Sequence, residues 1–315
     1  MDPTDENTSD LLPAYLSDKS YLVASPEGDP LRTSPVAPAT NNLVRIDTEG
    51  TLARDGRLHF ATRMVFEGIN DNMYRGHLAR LAPDERQRFL DARVGQLLPG
   101  AQLDELTVEP AELRDTRQPL TVRLRGSVPD FAVDGPGHRM LALPWMGTAF
   151  GTVNFVLGQT GLERRRFPLA TEFTCGVEET VRVTLEDAGA PLVIPDTAPL
   201  HEPDIVYEQS VSVSGQVAIG HSRFLLDAVE YPSNRYTRLK EILRDLEFSR
   251  RQKLVLATEL PAPAVVDAEV LERDIRLEVT APDRWTQTEH YRTRVLSYAG
   301  KKRLSELRLD FNPAW

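Results

Sequence analysis

One cysteine and six histidines are the side chains of this chain with the most distinctive chemistry. Cys175 lies in the run Phe173-Thr174-Cys175-Gly176, just before a predicted strand. A catalytic thiol needs a base within hydrogen-bond reach, and the sequence shows no helix N-terminus there that would lower the thiol pKa. Cys175 is therefore predicted to be a small buried apolar residue. A single cysteine can form neither a disulfide within the chain nor a thiolate metal site.

The histidines form neither an HxxxH pair nor an HExxH motif, and they are His59, His77, His138, His201, His221 and His290. A zinc site would have to assemble from distant strands, and a lone histidine on a strand is more often structural, so no metal site is predicted. Ser222 follows His221, but adjacent strand residues point to opposite faces. These two residues cannot therefore act as a nucleophile and its base.

The remaining candidates have structural interpretations. The acid pairs Asp84-Glu85 and Glu178-Glu179 are placed at the starts of elements, where capping explains them. No GxGxxG motif and no phosphate-binding loop is present, so no cofactor is predicted. Trp145, Trp285 and Trp315 are widely spaced, and core packing is their expected use. The sequence thus contains no complete catalytic set.

The elements that must position these residues are mostly strands. The run Leu43–Ile46, an Asp55-Gly56 turn and the alternating run Leu58–Phe66 predict a hairpin. Further alternating runs predict strands at 120–126, 180–186, 205–214 and 217–229. Arginines at every second position of the polar faces are typical of a half-exposed antiparallel sheet.

Two helices are expected among these strands. Pro83-Asp84-Glu85 places a proline and two acids in the first turn of one helix, which Leu98-Pro99-Gly100 ends. The second helix carries apolar residues at helical spacing from Tyr236 to Leu246, after Pro232. The prediction is therefore a mainly β protein of antiparallel β-sandwich modules with two short α-helices.

Composition shifts divide the chain into four parts. Residues 1–42 are rich in proline and are expected to be an extended remnant of another domain or a linker. Residues 43–155 form a predicted β-sandwich module with one helix, and residues 156–258 a second β module that ends in a helix. Residues 259–315 are expected to be a C-terminal β-hairpin region, with strands at 291–297 and 304–309.

Charge and hydropathy restrict the class of partner. The chain has 315 residues and a formal net charge of −10, and a negative surface repels phosphate backbones, so nucleic acid is excluded as a partner. The cationic run Glu163–Arg166 is interpreted as a solvated edge or turn. No stretch reaches the ~20 apolar residues of a transmembrane helix, and no signal peptide is seen. If Met1 is the native start, the expected compartment is the cytoplasm.

The opening residues carry a family resemblance. The tetrapeptide Met1-Asp2-Pro3-Thr4, with polar residues and then a Leu-Pro region after it, resembles the end of a bacterial transglutaminase-like domain. That family uses a cysteine, a histidine and an aspartate together, and the aspartate commonly stands in an Asp-Pro-Thr motif. The resemblance implies that Asp2 is the catalytic aspartate, which orients the histidine, while the Cys and His would lie before it. Cys175 does not match the position of the nucleophile.

The rest of the chain also resembles the β-rich modules of unknown function that flank such catalytic cores. Residues 43–255 look like the downstream module, and residues 288–315 look like the opening strands of the upstream one. This order suits a fragment of a larger protein with repeated units. The resemblance further implies an extracytoplasmic location, in the periplasm or outside the cell.

Three hypotheses for function follow. The first is a non-catalytic accessory β module of a transglutaminase-like protein, which positions protein or peptidoglycan-like substrates or partners, and it expects exposed apolar residues near 1–25. The second is a self-contained carbohydrate- or protein-binding β-sandwich. The third is a hydrolase or metal enzyme with a dispersed site. The expected partner is a protein, either a neighbouring catalytic core or a protein substrate, and the oligomeric state is left open.

Overall fold

The structure is a computed structural model that describes residues 5–187, 189–258, 267–281 and 284–305. The chain divides into two compact units, Met1–Glu259 (unit 1) and Leu260–Trp315 (unit 2). No helix within the described ranges is long and apolar enough to cross a membrane.

Unit 1 contains most of the strands. They are β1 (Ser20–Tyr21), β2 (Arg32–Thr33), β3 (Leu43–Leu52), β4 (Leu58–Phe66), β5 (Gln102–Glu109), β6 (Thr121–Val128), β7 (Val133–Gly135), β8 (His138–Leu141), β9 (Leu169–Ala170), β10 (Cys175–Leu185), β11 (Pro191–Val193), β12 (Leu200–Glu202), β13 (Ile205–Ser214), β14 (Val217–Leu226), β15 (Glu230–Tyr231) and β16 (Leu254–Ala257). Its helices are α1 (Ile69–Ala79), α2 (Pro83–Leu97), α3 (Val153–Gly158) and α4 (Ser233–Arg250). The mainly β fold class is confirmed.

One eight-stranded sheet organises unit 1, in the order β12-β13-β14-β10-β3-β4-β6-β5. Its neighbours pair antiparallel except at the centre, where β3 and β10 run parallel with Leu43 opposite Gly176. A four-stranded sheet, β11-β16-β8-β7, lies beside it in the same unit. The parallel pairing therefore joins two locally connected groups of antiparallel strands.

The two faces of the eight-stranded sheet differ because its strands alternate apolar and polar residues. The inner face is buried and belongs to one apolar core, with Ile46, Phe60, Met64, Val122, Leu124, Val181, Val183 and Phe224 among its members. Leu141 and Leu256 of the four-stranded sheet belong to the same core. The outer face carries charged and hydroxyl side chains. Functional side chains on this sheet are therefore presented to solvent from the outer face.

The predicted division between residues 155 and 156 differs from the structure. The strands of 43–155 and those of 156–258 contribute to one sheet and one core, because β3 and β10 pair along their whole length. The sequence shows two alternating strands here, but it does not show that they are neighbours. The boundary falls between the two halves of a single sheet.

Helices are more numerous than the two expected. The predicted helix from Pro83 is α2, and the predicted Tyr236 helix is α4. The additional α1 contains Asn70, Asp71, Asn72 and Gly76, which are weak helix formers, and tertiary contacts stabilise it instead. The short helix α3 is also additional.

Unit 2 consists of an antiparallel hairpin, β17 (Ala268–Ala281) with β18 (Arg284–Val295), followed by α5 (Tyr298–Arg303). The region predicted to hold a hairpin does so, but with different strands, and residues 298–303, between the two predicted strands, are helical. Ser297 caps this helix, since its Oγ accepts a hydrogen bond from the Gly300 backbone N at 3.0 Å. Most of the predicted strand at 304–309 lies outside the described residues.

Candidate binding groove on the open sheet face

Cys175 occupies the first position of β10 and is fully buried. Burial raises the pKa of its thiol from 9.0 to about 12, and the Thr152 hydroxyl offsets this only in part. The nucleophilic form is the thiolate, so the thiol is unreactive at neutral pH. This agrees with the prediction of a buried apolar residue, and it gives Cys175 no part in a catalytic site.

The histidines are dispersed, as their spacing indicates. His77 packs against Phe89 with ring centroids 4.7 Å apart, and the His138 Nδ1 lies 3.1 Å from the Pro136 carbonyl. His290 belongs to unit 2. Among the described residues, no group of three or more His, Cys, Asp or Glu side chains could hold a metal ion. Only His201 and His221 lie together, at one groove.

This groove, called the sheet groove below, is about 730 Å³ in volume and lies on the outer face. Its floor comes from β3, β10, β14 and β13, and segment 195–199 lines it as well. The segment connects β11 to β12, and the Asp196 backbone N donates a hydrogen bond to Gln252 Oε1 at 3.2 Å. Prolines at 195 and 199 restrict its backbone. The groove therefore has a floor of strands and a stiff side wall.

A ladder of alternating charge crosses the floor of the sheet groove. Register places Arg45, Glu178, Arg223 and Glu208 next to one another on consecutive strands. Arg45 pairs with Glu178, and Arg223 Nε lies 3.0 Å from the other oxygen of that carboxylate. His201 Nε2 continues the ladder at 3.2 Å from Glu208 Oε1. The ladder places these side chains side by side on an open surface.

The next row of the floor is polar and less tightly paired. It contains Asp47, Thr180, His221 and Ser210, again on consecutive strands. Thr180 Oγ1 lies 3.3 Å from His221 Nδ1. A second groove of about 520 Å³ shares Asp47 and continues over β4, β6 and β5, where it is lined by Arg63, Arg123 and Arg125 among others. Acidic and basic groups thus occur together in both grooves of the open face.

The acid pair Glu178-Glu179 lies inside β10 rather than at its start, so the capping interpretation is wrong for these two residues. Glu178 belongs to the charge ladder. Glu179 points inward, is 5% exposed, and accepts hydrogen bonds from the backbone N of Met146 and of Gly147. It therefore anchors the loop after β8 from below the groove floor. For Asp84-Glu85 capping is confirmed, since Glu85 Oε2 accepts a hydrogen bond from Ala82 N.

The aromatic side chains do not gather at the sheet groove. Trp145 packs partly buried against the core, over Gly220, where any Cβ would meet its ring at 2.5 Å. Trp285 is 55% exposed on the hairpin of unit 2. Trp315 lies outside the described residues. Ser222 and His221 face opposite sides of β14, as predicted.

Asp2, the aspartate that the resemblance assigns to catalysis, also lies outside the described residues. The chain just after it is held to α1 through Asp5. This carboxylate accepts hydrogen bonds from the Asn7 backbone N at 2.9 Å, the Asn72 Nδ2 at 2.5 Å and the Tyr15 hydroxyl at 2.9 Å. Partial burial acts to raise the pKa of Asp5, but these hydrogen bonds outweigh it and keep that pKa below its usual range. The opening segment is therefore fixed to unit 1.

Sequence reasoning does not single out Arg45, Asp47 or Arg223 as site residues, and it assigns Glu178 to a cap. The alternation within β3, β10 and β14 shows that Arg45, Asp47, Glu178 and Arg223 face outward. It does not show that these strands are neighbours, so the ladder was not predictable. Comparisons of the chain with protein-family models, curated proteins and solved structures found no match.

Proposed function

We propose that this chain is a non-catalytic accessory module that binds a charged peptide, in a protein or peptidoglycan-like partner, beside a thiol-dependent catalytic core. The observation that carries the proposal is the sheet groove. Its floor presents guanidinium and carboxylate groups side by side, and charge-assisted hydrogen bonds from a ligand to such groups are the strong ones. An extended peptide with both amines and carboxylates matches this alternation.

Two further observations support a role beside another domain. Large apolar side chains near the start of the chain are exposed, namely Leu11, Leu12, Tyr21, Leu22 and Val23. Such a group of residues is typical of a contact surface. By the family resemblance, the domain in contact with it would be the catalytic core that precedes Asp2. The buried thiol of Cys175 supports the proposal that this chain does not supply the catalytic nucleophile.

The alternatives have less support. A carbohydrate platform needs exposed aromatic rings, and no Trp, Tyr or Phe is among the described residues that line the sheet groove. A hydrolase with a dispersed site needs a nucleophile, a base and an orienting group in contact. At the sheet groove, His221 is near Thr180 and His201 is near Glu208, and neither pair includes a third group that would complete such a set.

Binding at the sheet groove is tested with two labelled probes, a peptidoglycan stem tetrapeptide and an extended peptide of alternating Lys and Glu. We expect saturable binding by fluorescence anisotropy that weakens as salt is added, because the contacts are exposed ion pairs. Arg223→Gln removes one charged contact at the floor, so the dissociation constant should rise about fivefold.

The matched control is Arg182→Gln. Arg182 lies on the outer face of β10 but lines neither groove, so its replacement should leave binding unchanged. Absence of binding by both probes, or equal losses in the two variants, would contradict the proposal. Thiol-dependent amide cleavage or crosslinking by the purified chain, abolished by Cys175→Ala, would contradict its non-catalytic part.

A further inference from the structure

The strand β13 has a neighbour along only part of one edge. β14 pairs with all of β13, whereas β12 pairs only with Ile205, Val206 and Tyr207. Among the residues that the structure describes, no strand lies beside 208–214 on the β12 side. We call residues 208–214 the open edge.

The backbone groups of the open edge are available for pairing. A two-residue turn, Gly215-Gln216, joins β13 to β14, so the flanking Ser214 and Val217 form a hydrogen-bonded pair. Because antiparallel bonding alternates, Gln209, Val211 and Val213 direct their N–H and C=O groups away from β14. An edge strand with unpaired backbone groups is a template for a further strand.

The other edge of the same sheet is protected, and the open edge is not. The edge strand β5 carries Asp104 and Glu105, has a register shift between Leu103 and Glu105, and is followed by Pro110. Charge, irregular register and proline all discourage strand addition. Residues 209–214 read Gln-Ser-Val-Ser-Val-Ser, with no charge and no proline, and their register with β14 is continuous.

We propose that the open edge pairs with the same edge of a second copy of this chain, antiparallel and centred on Val211. This register sets Val211 opposite Val211, Gln209 opposite Val213, Ser210 opposite Ser212 and Glu208 opposite Ser214. All of residues 208–214 are then paired, outward-directed backbone groups meet one another, and no two like charges face each other. The two eight-stranded sheets become one continuous sheet across a twofold axis.

A second copy fits this edge for two reasons. The sequence of the open edge is complementary to itself when two copies pair antiparallel. An edge that binds a different protein would not need this property. The chain also has a net charge of −10, so two copies repel over most of their surfaces, and an uncharged segment is where they can approach.

The test compares two double variants at the same two exposed positions, in sedimentation velocity runs over a micromolar concentration series of the full chain. Ser210→Lys/Ser212→Lys sets lysine opposite lysine twice across the twofold axis, so the dimer dissociation constant should rise about tenfold or more. Ser210→Glu/Ser212→Lys sets opposite charges at the same places, so the dimer should persist. Thr107→Lys, on the edge strand β5, is the control that should leave association unchanged.

Both serines point to solvent, so the far-ultraviolet circular dichroism and the melting temperature of the variants should match those of the parent chain. A parent chain that is monomeric at every concentration would overturn the proposal. This outcome covers the case in which the open edge pairs with a different protein. A dimer that survives in the lysine pair, or that is lost in both double variants, would overturn the proposed register. Peptide binding at the sheet groove is measured separately, and its failure leaves this proposal standing.

Discussion

Replacing Arg75 with methionine is expected to lower the free energy of unfolding of unit 1 by about 3–5 kcal/mol. Arg75 is 1% exposed on α1 and pairs with Asp71 one turn earlier, with Nε 2.5 Å from Oδ1. Its other nitrogens donate to the carbonyls of Leu113 at 2.7 Å, Asp115 at 3.2 Å and Gln118 at 2.7 Å. Methionine fills the space but leaves a carboxylate and three carbonyls without this donor.

The chain contains a matched control for this change. Arg88 and Asp84 form the same pair, four residues apart on α2, at 2.8 Å, but with side chains 66% and 68% exposed. Arg88→Met should leave the free energy of unfolding nearly unchanged, since exposed ion pairs of this spacing contribute little. Urea denaturation followed by circular dichroism measures both variants. A loss below about 1 kcal/mol for Arg75→Met would show that the buried pair does not hold α1 to the 113–118 segment.

Raising the pH from 9 to 10.5 is expected to destabilise the parent chain by about 2 kcal/mol more than the Cys175→Ala variant. The pKa of the buried thiol is raised from 9.0 to about 12. Below pH 9 the thiol is protonated in the folded and unfolded chains alike. Above pH 9 only the unfolded chain loses the proton, so stability falls with pH until the folded thiol also ionises near pH 12.

The difference between the two proteins reports the cysteine together with its coulombic effect on Tyr231, which helps to raise the pKa of that hydroxyl. Burial also raises the pKa of Tyr74 and of Tyr231, and these hydroxyls add to the alkaline loss of stability in both proteins. The measurement is a series of urea denaturation curves from pH 8 to 10.5. Parallel pH profiles for the parent and the variant would mean that the thiol is accessible to water in the folded chain, against its full burial.

Local patterns carried a large part of the fold. The hairpin of β3 and β4, the β13–β14 pair and the starts of α2 and α4 follow from alternation, turn residues and a proline in or just before the first turn, all of which act within a few residues. α1 could not be found this way, because its buried Asn70 and Arg75 stabilise it through contacts with distant segments. Propensity opposes this helix, and tertiary structure overrides propensity.

The candidate site was less accessible from sequence than the fold. Outward positions such as Arg45 and Arg223 are readable from the period of two, but the groove depends on which strands lie side by side. β3 and β10 meet in parallel across a long stretch of intervening chain, and no local signal specifies such a pairing. Segment 195–199 forms the wall of the sheet groove, and its position also depends on which strands lie side by side.

The parallel contact between β3 and β10 has a consequence for how the protein folds. On each side of it the strands are joined mainly by pairings between segments close in the chain, such as β3 with β4 and β13 with β14. These pairings close short loops and therefore form early. The central pairing closes a long loop, so its larger loss of chain entropy delays it. During synthesis the β3 half would emerge with its central edge unpaired. Until β10 pairs with it, that edge is a template on which another nascent chain can form a non-native strand pairing.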